Sequence, residues 1–483
     1  MNWQAFTHVG MQATERMSFR SAKHMSHYIK EQWQLAAQSV RHSSPDKVME
    51  AYYGCMDQIC RQFEKQLNSI HISVAVYGTA KVWVAAKTSH SGWYARQQAN
   101  QKLRSFIARM LQRLQPLLPA VSARQAANIL WSSAQLRQNP DALVPSMTDS
   151  LAREFIVDMD AATAQELANV LVACAKLQLN PCQGGLFKAI LHRLATTDLS
   201  NFEAQHVANV LHSLATIPAA APSVEVLDAL CQRFSTMLKN GRVAELSNAQ
   251  STANMMWALS KLKHAPSDEL AMSMVGRMVA LCRLPGQQPK PQEMSNVLLA
   301  CAQLRLPVKH ADSAILADFV LSLGKRQVGK QECANTAWSL AVMGHLHQDH
   351  FSLLLELLSP SSAAHGDMSN GLRLKISELR QLYQALDWLH PASSAPAQQQ
   401  KAWSSLQGKM HRLGPRPAPG KPNISGNNKL CAALNQLQLP FKAVVSIQSC
   451  HWMDAVLESQ DNQAEAIMLR LFTADYIKNI PGR

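Results

Sequence analysis

Apolar and polar residues follow two superposed rhythms along this chain, a helical one and one of about forty residues. Six segments share a single pattern, each built round an asparagine. They are RQAANILWSSAQL at Asn128, QELANVLVACAKL at Asn169, QHVANVLHSLATI at Asn209, QSTANMMWALSKL at Asn254, QEMSNVLLACAQL at Asn296 and QECANTAWSLAVM at Asn335. Successive asparagines are 41, 40, 45, 42 and 39 residues apart. Counted from the asparagine, positions −1, +2, +3 and +6 are apolar or small in nearly every copy, as Ala127, Leu130, Trp131 and Ala134 are in the first. That is the i, i+3, i+4, i+7 spacing of a buried helical stripe. Positions +1, +5 and +8 are mostly apolar too, so the predicted helix is dry round most of its circumference.

Only a narrow strip stays polar. Position −4 is Gln165, Gln205, Gln250, Gln292 or Gln331 in five copies and Arg124 in the first. Position 0 is the asparagine, position +4 is Ser or Ala, and position +7 is often Gln135, Lys176, Lys261 or Gln303. At about 100° per residue these positions fall within about 40° of the asparagine on either side. Such a helix is packed between neighbours and shows a single edge to solvent. Two weaker copies flank the six: GTAKVWVAAKT puts Ala80 at the asparagine position and Trp83 at +3, and SELRQLYQALDWL puts Gln381 at position 0.

A loop follows each motif, commonly with a proline (Pro140, Pro181, Pro218, Pro266, Pro307). A second amphipathic helix comes next, as in LFKAILHRLA from Leu186, EVLDALCQRF from Glu225 and AILADFVLSL from Ala314. Helix, turn, helix at this period predicts an all-α fold, a right-handed α-solenoid of about seven to eight helix-turn-helix repeats. The period exceeds that of the tetratricopeptide repeat and lies nearer the armadillo and HEAT range. Four regions are expected: a basic segment over 1–44, the repeat array over 45–395, a basic linker rich in Pro, Ser and Gly over 396–428, and a small α/β module over 429–483.

Charge changes the picture of the partner. With 47 Lys and Arg against 33 Asp and Glu, the chain carries +14. The excess is uneven: the stretch from Lys401 to Lys429 holds six cations and no acid. A balance of this kind attracts anions, nucleic acid above all. The N-terminal segment, with Arg16, Arg20, Lys23, Lys30 and Arg41 against Glu15 and Glu31, fits an organellar transit peptide or an ordinary basic first helix. No run of apolar residues reaches the length of a membrane span. The ten cysteines lie scattered, several at equivalent apolar places in the repeats such as Cys174 and Cys301, which predicts buried free thiols in a reducing compartment.

Other patterns carry less. GKRQVGK from Gly324 to Lys330 matches most of a phosphate-binding loop, but a glutamine follows where magnesium needs Ser or Thr, and the preceding pattern is helical. His345, His347 and His350 cluster without a set of partner ligands, and Cys55 and Cys60 have no second pair at zinc spacing. Neither HExxH nor GxSxG occurs. No catalytic residue, metal or cofactor is expected.

The run from Gln250 to Leu262 resembles the octotricopeptide repeats of green-algal organelle proteins and the related repeats of the FAST-kinase-domain family. Val172, His212 and Leu299 depart from the pattern by replacing its tryptophan. LCAALNQLQLPFKAVVSIQSCHWMDAVLE (430–458) and AIMLRLFTADYIKNIP (466–481) resemble the opening and close of a RAP domain, with the intervening acidic, glycine-containing turn missing. The resemblance implies binding of single-stranded chloroplast or mitochondrial RNA, for its maturation, stability or translation, with protein partners in an RNA-processing complex. On this reading Gln165, Asn169, Lys176, Gln205, Asn209, Gln250, Asn254, Lys261, Gln292, Asn296, Gln303, Gln331 and Asn335 face RNA on a concave surface. Amides would pair with base edges and lysines with phosphate. Trp83, Trp131, Trp257 and Trp338 would offer stacking faces. The residues leave two alternatives open: an internal asparagine ladder with core tryptophans, and an armadillo-like scaffold gripping an acidic peptide.

Overall fold

The computed structural model describes residues 22–40, 42–89, 97–240, 249–324 and 327–358, a few positions between 375 and 404, and the strands 441–447, 451–457 and 468–469. The chain divides into two compact units, the first ending at Leu316 and the second beginning at Ala317. Sixteen α-helices lie among the described residues. They are α1 Ala22–Ser39, α2 Pro45–Gln62, α3 Ser69–Ser89, α4 Gln97–Leu114, α5 Ala123–Leu136, α6 Met147–Val157, α7 Ala164–Leu177 and α8 Gly185–Thr196. They continue with α9 Ala204–Thr216, α10 Val224–Asn240, α11 Ala249–Leu262, α12 Asp268–Cys282, α13 Pro291–Leu304, α14 His310–Ser322, α15 Lys330–Val342 and α16 Gln348–Leu358.

The asparagine motifs form the odd-numbered helices from α5 to α15, and the sequence sets both ends of them. At the start, the residue at −3 folds back as a cap. The Ser122 N–H donates to Gln125 Oε1 at 3.3 Å, and Thr163 N–H to Glu166 Oε2 at 2.8 Å. The Lys290 and Lys375 N–H groups donate to Glu293 and Glu378 at 2.8 and 2.7 Å. At the end, position +9 takes left-handed backbone: Arg137, Gln178, Lys263 and Arg305 have φ of 54°, 54°, 55° and 55°, and Gly344 has 72°. The next N–H then reaches back to the carbonyl at +5, as Gln138 does to Ser133 and Leu306 to Cys301. Pro218 occupies +9 after α9, and that helix closes earlier.

In the first unit the odd-numbered helices lie side by side in order, α1 on α3 through to α11 on α13. Even-numbered helices form a second layer, with α2 on α4, α6 on α8, α8 on α10 and α10 on α12. The core runs between the layers. Position +2 supplies Leu130, Leu171, Leu211, Met256 and Leu298, all fully buried, and the facing layer supplies Phe155, Phe187 and Phe234. Each such side chain contributes roughly 1.5–3 kcal/mol by leaving water. No repeat could bury these faces alone, which is why the units stack. The helical-repeat architecture expected from the periodicity is therefore present.

Two expectations need correction. The array takes in α1, which lies before the expected boundary at residue 45, because α1 packs on α3. In α3, Ala80 and Trp83 are 0% and 7% exposed, so they belong to the core. The edge of that helix is formed by Ile70, Val74, Tyr77 and Lys81, six residues earlier in register. In the second unit α15 packs on α16. Nearly all of the expected linker over 396–428 lies outside the described residues. Of the expected C-terminal module, three antiparallel strands are described: β1 Phe441–Ile447 pairs with β2 His451–Leu457, and β2 with β3 Met468–Leu469.

Candidate nucleic-acid interface

Each motif helix exposes the same narrow edge. At −4, Arg124, Gln165, Gln205, Gln250, Gln292 and Gln331 are all exposed. They sit at the second helical position, where the cap is made by the neighbour at −3 and the glutamine has no structural duty. At position 0, Asn128, Asn169, Asn209, Asn254 and Asn296 are half-buried. At +7, Lys176, Thr216, Lys261 and Gln303 are exposed and Gln135 is half-buried. Position +3 joins this edge: Trp131, Val172, His212, Trp257 and Trp338 are half-buried, and only Leu299 is covered. These four positions span about 60° of helix.

Position +4 lies on the wrong side of the asparagine to belong. Ser132, Ser213 and Ser339 are buried, and their hydroxyls donate to the carbonyls of Asn128, Asn209 and Asn335 at 2.5, 2.7 and 2.6 Å. The strip is therefore narrower than its polarity suggested, and it leans toward the tryptophan position.

Equivalent positions of adjacent repeats meet, which puts the edges of the first unit in register. Trp33 and Tyr77 lie edge-to-face with centroids 6.2 Å apart, and Tyr77 and Trp131 are 5.3 Å apart. His212 stacks on Trp257 at 4.7 Å. One step along the edge, Lys176 Nζ donates to Gln135 Oε1 at 3.1 Å, joining +7 to +7. The side-chain amides of Asn128, Asn169, Asn209, Asn254 and Asn296 have no hydrogen-bond partner within the protein among the described residues, so they do not form an internal ladder. Asn335 in the second unit differs. It is 4% exposed, and its Oδ1 accepts a hydrogen bond from Gln381 Nε2.

Arg124, at −4, has Nε 3.7 Å from Glu166 Oε1, but the lysines of this edge are held otherwise than the cations of the second layer. On the even-numbered layer, Lys102 pairs with Glu50, Arg109 with Asp57, Arg113 with Glu64 and Lys239 with Glu269. On the odd-numbered edge, Lys81 Nζ lies 5.1 Å from the Tyr77 ring centre and 4.9 Å from that of Trp131. Lys261 Nζ lies 5.8 Å from the Trp257 ring, and Lys176 has the Gln135 amide. An aromatic face holds an ammonium by roughly 0.5–1 kcal/mol at an exposed site and leaves its charge in place. These three lysines therefore present uncompensated positive charge beside flat rings and amide groups. That combination suits a polymer with phosphates, planar faces and hydrogen-bonding edges.

Burial tunes two groups here. Lys176 has its pKa lowered by desolvation first and then by the positive charges of Lys87 and Arg137. His212 has its pKa lowered by desolvation and then by Lys176. Elsewhere, burial pushes the thiols of Cys174, Cys231, Cys301 and Cys333 up to about 12, which keeps them neutral. A cleft of about 540 Å³ at the start of α7 brings Gln165 near Arg193, Asp198 and His206. Of the histidines near 347, His350 Nε2 pairs with Asp318 at 3.0 Å. Among the described residues no group of His, Cys, Asp and Glu is placed to hold a metal, and no helix is long and apolar enough to cross a membrane.

Sequence reasoning missed Trp33, Tyr77 and Lys81. The i, i+4 spacing of Tyr77 and Lys81 was the available signal, hidden because α3 has neither the glutamine nor the asparagine of the motif. No protein-family model matches this chain, and a search of curated proteins finds no match.

Proposed function

We propose that this is a non-enzymatic RNA-binding helical-repeat protein of octotricopeptide type, acting on chloroplast or mitochondrial transcripts. Single-stranded RNA lies along the exposed edge of the odd-numbered helices of the first unit. The amides at −4 and 0 read base edges, the +3 rings carry base faces, and the +7 lysines hold phosphates. The right-handed sense of the array and the kinship of the C-terminal strands with a RAP domain belong to the same proposal. The observation that supports it is that Lys81, Lys176 and Lys261 of the odd-numbered edge are held by rings and an amide and keep their charge, whereas Lys102, Arg109, Arg113 and Lys239 of the other layer pair with carboxylates. An acidic peptide would satisfy the charge and the amides, but it offers a flat face to the rings only where it carries an aromatic side chain, whereas every base of RNA does.

Affinity for a single-stranded oligonucleotide should fall with salt at roughly 0.7 logarithmic units per phosphate held. Gln250→Ala with Lys261→Ala should weaken that affinity by about tenfold and leave the helical circular-dichroism signal intact. Loss of the helical signal in this double variant would mark the two positions as structural. Equal affinity for polyglutamate and for oligouridylate would point to a protein scaffold instead.

A further inference from the structure

We propose that Tyr77 and Trp131, bridged by Lys81, form a site on α3 and α5 that stacks one base of a single-stranded nucleic acid whatever its identity, with the Lys81 ammonium giving up the ring face and passing to the adjoining phosphate. This rests on the RNA reading above and adds to it a position where sequence is not read. The two rings come from neighbouring odd-numbered helices, with centres 5.3 Å apart and planes inclined at 38°. Both residues are half-buried, so part of each side chain meets solvent. Lys81 Nζ lies 5.1 Å from the Tyr77 ring centre and 4.9 Å from that of Trp131, which marks a face common to both rings that a mobile group can occupy. The platform is braced from α1. Trp33 meets Tyr77 edge-to-face at 6.2 Å and is itself fixed, since a Cβ on Gly78 would stand 2.6 Å from its Cδ1. The Nε1 of Trp33 is buried, so this indole supports the platform and does not read a base edge. Rings set in place beforehand cost a ligand little ordering.

The site differs from its counterparts further along the edge in its amides. At −4 and 0, where the motif helices have glutamine and asparagine, α3 has Ile70 and Val74, and α5 has Arg124 and Asn128. Of the −4 and 0 amides these two helices keep only Asn128, so a base is gripped by its face while its edge is left largely unread. Ile70, 46% exposed, puts apolar surface where the motif puts a hydrogen-bonding group. A structural role explains the rings but not the lysine: packing Tyr77 against Trp131 joins α3 to α5 and needs no cation. An ammonium over an exposed ring is held weakly, and a base stacked on an aromatic side chain is held more strongly. Exchange of one for the other therefore runs toward the nucleic acid, and the displaced ammonium gains a phosphate.

The test uses the full chain and three oligomers of equal length: oligouridylate, oligoadenylate and an abasic phosphodiester. Tyr77→Leu with Trp131→Leu removes the rings, and Tyr77→Phe with Trp131→Phe keeps aromatic faces. We expect the leucine pair to weaken oligouridylate and oligoadenylate alike, by about tenfold, and the abasic oligomer by no more than about twofold. The phenylalanine pair should stay within about threefold of the parent on all three. Lys81→Gln should lower the slope of log affinity against log salt by roughly 0.7, the loss of one phosphate contact. Should the leucine pair lose its helical circular-dichroism signal, Tyr77→Leu alone is expected to weaken both base-bearing oligomers by about threefold. Equal weakening of abasic and base-bearing oligomers, or unchanged affinity, overturns the site and leaves the RNA reading to the motif helices. A loss confined to one of the two bases overturns the claim that sequence goes unread here. An unchanged salt slope in Lys81→Gln overturns the transfer of the ammonium. If the unaltered chain binds none of the oligomers, the RNA reading falls and the site with it.

Discussion

Gln381 donates a hydrogen bond from Nε2 to Oδ1 of Asn335 at 3.0 Å, and three residues further along the same two helices Trp338 Nε1 donates to Gln384 Oε1 at 2.9 Å. Position 0 thus meets position 0, and +3 meets +3. The pair shows what the motif asparagine does when the next repeat covers it: it becomes a buried structural link. In the first unit the equivalent amides are half-buried and make no such bond. The two situations predict different costs. Asn335→Ala leaves the Gln381 amide without its acceptor in a covered place, and should lower unfolding free energy by roughly 1–3 kcal/mol. Asn169→Ala should cost no more than about 0.5 kcal/mol. Urea titration of both variants checks this, and an equal loss would make the asparagine structural throughout.

A second prediction concerns the close approach of α1 to α3. A Cβ placed on Gly78 would stand 2.6 Å from Trp33 Cδ1 and 2.7 Å from Cγ. The indole is packed against the α3 backbone, so it can yield only by moving the whole ring. Gly78→Ala should therefore destabilise the first unit by roughly 1–3 kcal/mol through overpacking, despite the better helix propensity of alanine. Adding Trp33→Leu should restore part of the loss. A Gly78→Ala protein as stable as the parent would mean that α1 does not dock on α3 in this way.

These two sites also show how far the sequence could be read. The exposure of position −4, and of +7 in most repeats, was legible because it depends on helical geometry and on a motif repeated six times, whereas position 0 is half-buried or, at Asn335, covered. The place of Gln381 followed from the same period. What failed was information that only a neighbour supplies. Ser132 and Asn128 are both polar and lie about 40° apart on the helix, and nothing in the sequence says on which side the adjacent helix closes. In α3 the eye is drawn to Trp83, which is core filler, while the true edge begins with Ile70, an apolar residue 46% exposed. The basic stretch with Lys30 and Trp33 fits a tail as well as a first helix, and nothing in it says that α1 would dock on α3 as part of the array.

Acid should weaken the array in a defined window. Desolvation, opposed in part by Glu203, lowers the pKa of His206, and desolvation followed by Lys176 lowers that of His212. Both rings are therefore held neutral in the fold, whereas in the unfolded chain they take a proton near pH 6.5. The unfolded state binds more protons below that value, so their contribution is complete above pH 6.5 and is lost as pH falls through the depressed folded values. The melting temperature should drop between pH 7 and pH 5. His212→Phe keeps a ring on Trp257 but cannot titrate, and should make that drop shallower. An unchanged pH dependence in this variant would remove His212 from the explanation.

Left-handed backbone at +9 allows stability and binding to be separated. Arg137 and Arg305 occupy equivalent positions, with φ of 54° and 55°. Replacing either by glycine removes a conformational penalty of roughly 1–2 kcal/mol. It also adds roughly 0.4–1 kcal/mol of unfolded-state freedom that opposes the gain. Both Arg137→Gly and Arg305→Gly should then raise unfolding free energy, by up to about 1 kcal/mol. Neither should change binding: position +9 lies about 180° round the helix from the asparagine, so both variants should keep their affinity for oligouridylate within about twofold. A variant that gains stability and loses affinity well beyond that would place the helix C-terminus in the binding edge.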